Sequence, residues 1–387
     1  KTLIQSSMYK RIYKIEDEPE ESLFLFGARQ TGKTTLLKER FPKAIYIDLL
    51  NTDILKRLQN NPERLRQTLE HEKQDTIVVI DEIQQLPILL NEVHWLITNK
   101  GLRFILSGSS ARKLKRNGTN TLGGRALPCN MYPLVSAEIE DFDLNRALRY
   151  GMIPKIYTSK SPERLLQAYV DVYLKEEIKA EALVTHLAHF TKFLEISALT
   201  DGEIVNYQNI ASDCGVSSTT VKEYFAILSD TLIGYMIPAY TKTQKRKMVQ
   251  APRFYFFDIG VANYLLNRTK LEQGTPEYGH AFEHFVIQEI IAYIGYTHSN
   301  KALSYWRTYT GQEVDVILGD ADVAIEIKST DNIETRHLKG IKAFREDFPQ
   351  SRLMVVSLDP FDRKTETGIE ITNIRKFLKM LWDGEIV

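Results

Sequence analysis

Apolar positions along this chain fall into three regimes. In the first third, short β-branched and aromatic runs recur at Ser22 to Phe26, Ala44 to Asp48, Thr76 to Ile80 and Leu102 to Ser107, with stretches of helical spacing between them. Strands alternating with helices predict a parallel α/β sheet. From Pro162 to Leu199 the spacing is helical, and Leu165, Leu166, Tyr169, Val170, Tyr173 and Leu174 form one stripe that predicts core. After Asp201-Gly202, the run Tyr207 to Val221 predicts a short helix, a turn at Gly215 and a Ser/Thr-capped second helix through Lys222, Tyr224, Phe225, Leu228 and Leu232. A strand pair follows, Tyr235 to Tyr240 and Arg253 to Asp258, around the polar loop Thr241 to Lys247. The last regime opens near Pro276 with helical periodicity across Phe282 to Ile291. Strands at Glu313 to Leu318 and Val323 to Lys328 come next, then a helix at Ile341 to Phe344 and a strand at Leu353 to Ser357.

The first chemistry lies at the exit of the first strand. Gly27-Ala28-Arg29-Gln30-Thr31-Gly32-Lys33-Thr34 is a full Walker A pattern, followed by the helix-prone run from Thr35 to Arg40. Glycines let successive N–H groups curl around a phosphate, and the helix presents its positive end. In this reading Gly27, Gln30, Thr31, Gly32 and Thr35 line the phosphates, Lys33 meets the β- and γ-phosphates, and Thr34 holds Mg²⁺. The third strand ends in Asp81-Glu82, so Asp81 completes the Mg²⁺ shell and Glu82 polarises the attacking water. The fourth strand ends in Ser107-Gly108-Ser109-Ser110, where Ser107 is either a γ-phosphate sensor or part of an ordinary strand exit. Arg125 follows a Gly pair and is the favoured arginine finger, in its own subunit or a neighbour; Arg112 is either a second candidate or a surface residue.

These segments, with Tyr132-Pro133-Leu134, Phe254 to Val261 and Tyr305 to Thr308, resemble the AAA-family ATP-binding proteins of bacteria and archaea that carry a C-terminal domain of unknown function. The resemblance covers most of the chain and rests on the order of the segments. One departure is Tyr150-Gly151-Met152-Ile153-Pro154, where relatives commonly have a Gly-Gly-Phe-Pro type of turn. It marks a boundary near residue 150.

The middle region has the pattern of a winged helix. On DNA, Ser218, Thr219, Thr220 and Lys222 enter the major groove while Lys245, Arg246 and Lys247 neutralise phosphate. The same pattern also serves as a packing or protein-docking module. In the last region Glu326 and Lys328, two residues apart in one strand, share a face, with Asp315 in the neighbouring strand. Asp315, Glu326 and Lys328 look like the core of the PD-(D/E)XK nuclease-like fold, with Glu283 as the extra helix carboxylate of its resolvase-like members. That resemblance implies Asp315, Glu326 and Glu283 as ligands of Mg²⁺ or Mn²⁺ and Lys328 as the residue that positions water.

Composition narrows this picture. At 387 residues two or three domains are expected, and 50 basic against 50 acidic residues leave no global basic field for nucleic acid. Cys129 and Cys214 have no metal or redox spacing, which fits a reducing cytoplasm; no stretch reads as a membrane span or signal peptide. The expected architecture is a P-loop NTPase sheet of the AAA+ type over 1–150, a helical and winged-helix region over 151–270, and a restriction-endonuclease-like α/β domain over 271–387. The expected activity is ATP hydrolysis with ATP and Mg²⁺, on DNA, with a nucleotide-gated nuclease site and possible assembly into a homo-oligomer. The alternative is an ATP-controlled interaction switch whose nuclease-like domain is silent.

Overall fold

The computed structural model describes residues 9–15, 21–109, 122–174, 187–242, 246–268 and 270–386. Ser110, Arg112 and Lys245 lie outside them. The chain divides into two compact units, one holding the residues up to Leu134 together with Ile227–Ile233, the other Val135–Ala226 and the chain from Gly234 onward.

In the first unit, β1 (Ser22–Phe26), β2 (Ile45–Asp48), β3 (Ile77–Asp81), β4 (Arg103–Gly108) and β5 (Ala126–Asn130) form one parallel sheet in the order β2-β3-β4-β1-β5. The fifth strand was not anticipated. It contains Pro128 and reads Ala-Leu-Pro-Cys-Asn, a poor strand sequence tolerated because β5 is an edge strand. Phe24, Val78, Ile80, Phe104 and Leu106 build a core with Leu65 and Leu69 of α3 (Arg64–Leu69) and Leu89, Val93 and Leu96 of α4 (Leu89–Lys100). Between strands lie α1 (Lys33–Arg40) and α2 (Thr52–Asn60).

In the second unit, the stripe from Pro162 is not one regular helix. An α-helical turn over Pro162–Gln167 passes into a π-helix over Ala168–Leu174, with Leu166, Tyr169, Val170 and Leu174 buried as expected. The helices Tyr207–Cys214 and Ser218–Asp230 are joined through Gly215, whose φ of 69° suits the turn. Leu232 lies beyond the second helix, at φ 57°, and so does not extend it. β6 (Gly234–Ile237) and β7 (Arg253–Phe256) pair antiparallel over fewer residues than expected, because the chain after Ile237 leaves β7 and runs beside β8 (Leu303–Arg307), with Ala239 bridging Tyr305. β8, β9 (Glu313–Leu318), β10 (Val323–Lys328), β11 (Arg352–Ser357), β12 (Arg363–Lys364) and β13 (Glu370–Asn373) make a mixed six-stranded sheet in the order β12-β13-β11-β10-β9-β8. The long helix Pro276–Tyr296 packs on β10. Among the described residues no helix is long and apolar enough to cross a membrane. Both cysteines are buried and free.

Candidate active site

The loop from β1 to α1 holds the Walker A residues. Gln30 and Gly32 take left-handed backbone angles (φ 60° and 98°), and Gly32 opens α1, a geometry glycine adopts without steric cost. Lys33 is buried, and its Nζ donates to the carbonyls of Gly27 (2.7 Å) and Ala28 (3.1 Å); Thr31 donates its hydroxyl to Ala28 O at 2.8 Å. Thr35 is exposed on the first turn of α1.

Parallel pairing of β1, β4 and β3 delivers the acidic side chains to the same edge. Asp81 Oδ2 accepts from Thr34 Oγ1 at 2.7 Å and from the Tyr46 hydroxyl at 2.5 Å, while Ser107 Oγ donates to Oδ1. Burial, then the Asp81 carboxylate, push the Tyr46 phenol well above its ordinary range, so it stays a donor. Ser107 is fully buried and bound to Asp81. Glu82, at φ 61°, is held by Gln84 Nε2, which also reaches Ser109 Oγ at 3.2 Å. Burial raises the Glu82 carboxyl, with Lys33 opposing. Adjoining hydroxyl and carboxylate oxygens at Thr34 and Asp81 are a donor set suited to Mg²⁺.

Three residues of this site escaped sequence reasoning: Tyr46, Gln84 and Arg11. Arg11 is buried and donates to the carbonyls of Thr31 (2.6 Å), Tyr132 (2.9 Å) and Pro133 (3.1 Å), tying the phosphate loop to the exit of β5. Arg125 is placed differently from the rest. It precedes Ala126, which pairs with Ser22, whereas the phosphate loop follows Phe26, which pairs with Asn130. Five residues of strand separate the two ends, about 16 Å, more than an arginine side chain spans. The exposed Arg125 therefore sits at the opposite sheet edge from its own phosphate loop, which removes the same-subunit finger.

The second cluster forms on β9 and β10. Antiparallel register sets Ile325 against Val316, bringing Glu326 and Asp315 side by side. Asp315 Oδ2 accepts from Ile327 N at 2.8 Å, and Lys328 Nζ lies 2.7 Å from Glu326 Oε1 and 3.6 Å from Asp315 Oδ2. Burial and the neighbouring Asp315 push Glu326 up to about 8; its Oε2 is buried without a hydrogen-bond partner. Glu283 is engaged elsewhere. Its Oε1 accepts from the Tyr255 hydroxyl at 2.7 Å and faces Arg253 Nη1 at 3.5 Å. Arg253, 4% exposed at its side chain, also binds Glu313 and approaches Asp315 Oδ1 at 3.8 Å. A guanidinium from β7 thus stands among the carboxylates that the sequence assigns to a metal. Each of the three carboxylates has a cationic side chain beside it; Glu326 keeps an unpartnered Oε2 for a hard cation, whereas the Glu283 Oε1 is taken up by Tyr255 and Arg253.

At the helix-turn-helix, Thr219 and Lys222 are exposed and Ser218 and Thr220 partly so. Lys247 is exposed, but Arg246 is not available to phosphate: it binds Ala343 O at 2.7 Å and Glu346, and covers the Trp306 ring.

The parallel sheet with its phosphate loop and Walker acidic pair defines an AAA-type P-loop fold. Residues 19–140 match a family described as an AAA domain, which supports the AAA-type reading of this segment. Residues 141–272 and 278–377 match two families described as domains of unknown function, DUF8612 and DUF4143. No curated protein matches the chain. Among solved structures, the Aeropyrum pernix ORC1 protein in complex with DNA is 14% identical, with 64% of this chain and 86% of that one covered at a TM-score of 0.28. A STAND-type signal transduction ATPase from Pyrococcus horikoshii with a tetratricopeptide repeat sensor is 14% identical, with 69% and 46% covered at 0.18. Drosophila ORC bound to GC-rich DNA and Cdc6 is 10% identical, with 65% and 87% covered at 0.21. Scores this low say nothing about shared function.

Proposed function

We propose that this protein binds and hydrolyses ATP at the Lys33, Thr34, Asp81 and Glu82 site and uses its nucleotide state to control a nucleic-acid-binding region. That region comprises the helix-turn-helix of a winged-helix domain over 151–270 and the Asp315, Glu326 and Lys328 site of a nuclease-like domain over 271–387. The carrying observation is the convergence of Lys33, Thr34, Asp81, Ser107 and Glu82 at one edge of the parallel sheet.

On nucleotide binding, Lys33 exchanges the carbonyls of Gly27 and Ala28 for phosphate oxygens. Thr34 and Asp81 would hold Mg²⁺, which neutralises charge on the β- and γ-phosphates when bound. Glu82, released from Gln84, takes up the proton of the attacking water, and its raised carboxyl makes that uptake easier. At the second site Asp315 and the unpartnered Glu326 Oε2 would hold Mg²⁺ or Mn²⁺, with Lys328 orienting water.

The position of Arg253 favours a second reading, in which the nuclease-like site is silent and the ATPase operates an interaction switch. Cleavage of single-stranded, duplex and branched DNA with Mg²⁺ or Mn²⁺, with and without ATP, separates the two. The first reading expects ATP-dependent cutting that is lost in both Lys33→Ala and Glu326→Ala. Intact ATP turnover with no cutting on any substrate establishes the second, and no ATP turnover at all overturns both.

A further inference from the structure

The turn after the helix Leu187–Leu199 carries Asp201 and Gly202 and lies along β7, with Gly202 N donating to Phe254 O at 2.7 Å. Gly202 has φ 79°, and a Cβ there would lie 3.2 Å from the His280 ring, so the glycine leaves room for that imidazole. His280 and His284 stand four residues apart on one face of the helix Pro276–Tyr296, both directed at Asp201. Asp201 Oδ2 lies 2.7 Å from His284 Nδ1 and 3.0 Å from His280 Nε2, while its Oδ1 accepts from Phe256 N at 2.7 Å. The Asp201 and His284 side chains are 0% and 1% exposed.

A proton inventory constrains what fills this site. His284 Nε2 lies 2.8 Å from the carbonyl of Phe256, which only accepts, so the ring proton is on Nε2. In the neutral ring Nδ1 then turns a lone pair toward a carboxylate oxygen, and the contact requires a positive species between them. His280 Nε2 approaches the same carboxylate oxygen. It is buried and close to Asp201, yet no hydrogen-bond partner is aligned with it. A ring nitrogen aimed at a carboxylate without hydrogen-bond alignment, beside a second ring whose far N–H is anchored on a backbone carbonyl, is the arrangement of metal-bound histidines.

We propose that Asp201 Oδ2, His280 Nε2 and His284 Nδ1 form a binding site for a divalent transition-metal ion of the zinc class. All three atoms lie within 4.8 Å of one another. Small ring shifts open them to the edge of about 3.3 Å that a tetrahedron with bonds near 2.0–2.1 Å requires. Two imidazoles with one carboxylate select zinc-like ions over Mg²⁺. The ion would tie the 201–202 turn to the long helix. This site is separate from the Asp315 and Glu326 cluster and stands whether or not the nuclease reading does.

The test uses the full chain, stripped with chelator, dialysed and titrated with Zn²⁺ by calorimetry and with Co²⁺ by visible absorption. The expected result is the d–d bands of tetrahedral Co²⁺ saturating at one equivalent per chain; Co²⁺ held by the Asp315 and Glu326 oxygens gives only weak octahedral bands. His280→Gln should lower the affinity by more than the roughly 10- to 100-fold that an outer-shell change costs, whereas Glu72→Gln, an exposed carboxylate outside every site, should leave it unaltered. Because the Co²⁺ spectrum is read on the parent protein, a misfolded variant does not obscure the result. A folded parent that binds neither ion, or binding unaffected in a folded His280→Gln, overturns the proposal; the former would make the trio a protonated ion triad.

Discussion

Arg11 shows how a residue outside the phosphate-binding run governs it. Its guanidinium is the donor for three buried carbonyls, and one of them belongs to Thr31 inside the loop. Arg11→Met strands these acceptors and frees the loop to shift. We expect a loss of about 3 kcal/mol in stability and at least tenfold in affinity for a fluorescent ATP analogue, read by thermal melting and fluorescence titration. Arg11→Lys, with a charge but no planar fork, should recover only part of the affinity. Normal nucleotide binding by Arg11→Met would show that the loop holds its shape unaided. Lys33→Ala should likewise lower the melting temperature, because the carbonyls of Gly27 and Ala28 lose their donor, and should leave no measurable ATP turnover.

Between elements, Glu289 on the long helix is the clearest electrostatic joint. It accepts from Ser136 N (2.7 Å), Ser136 Oγ (2.8 Å) and Trp382 Nε1 (2.7 Å), linking that helix to the turn Ser136–Glu138 and to the C-terminal helix Ile374–Trp382. Burial nevertheless pushes its carboxyl from 4.5 up to about 7. The folded chain therefore holds this proton more tightly than the unfolded chain. The resulting stability is complete below pH 4.5 and is lost as the pH rises to 7. Melting temperature should fall across that interval, and fall less in Glu289→Gln; equal pH slopes for the two proteins would remove Glu289 from the account. None of this was visible in the sequence, because three donors from distant segments meet only after folding. The phosphate-loop strands and the Walker residues were legible because each lies in one continuous run, as was the pairing of Asp315 with the Glu326 strand. Tyr46, Gln84 and Arg253 were not, since register and loop geometry bring them to their carboxylates. The spacing of His280 and His284 is a helical signal that could have been read, but their partner Asp201 lies in a remote turn.

For the whole molecule, the decisive placement is that of Arg125. An arginine finger must reach the γ-phosphate, and the pairing of Ser22 with Ala126 sets Arg125 at the wrong edge of its own sheet. If it contributes to hydrolysis it does so at a site on another copy of the chain, so activity requires assembly. Arg125→Ala should then bind ATP normally yet lose a factor on the order of 10³ in turnover. Lys33→Ala should be inactive for the separate reason that its own phosphate site is broken. Mixed in equal amounts, the two variants place an intact Lys33 site on one chain opposite an intact Arg125 on the other, and turnover should rise well above that of either alone. Light scattering with ATP should show the same assembly in the parent. A mixture as inactive as its components, from proteins that remain monomeric with ATP, would remove Arg125 from hydrolysis and leave Lys33, Asp81 and Glu82 to act within a single chain.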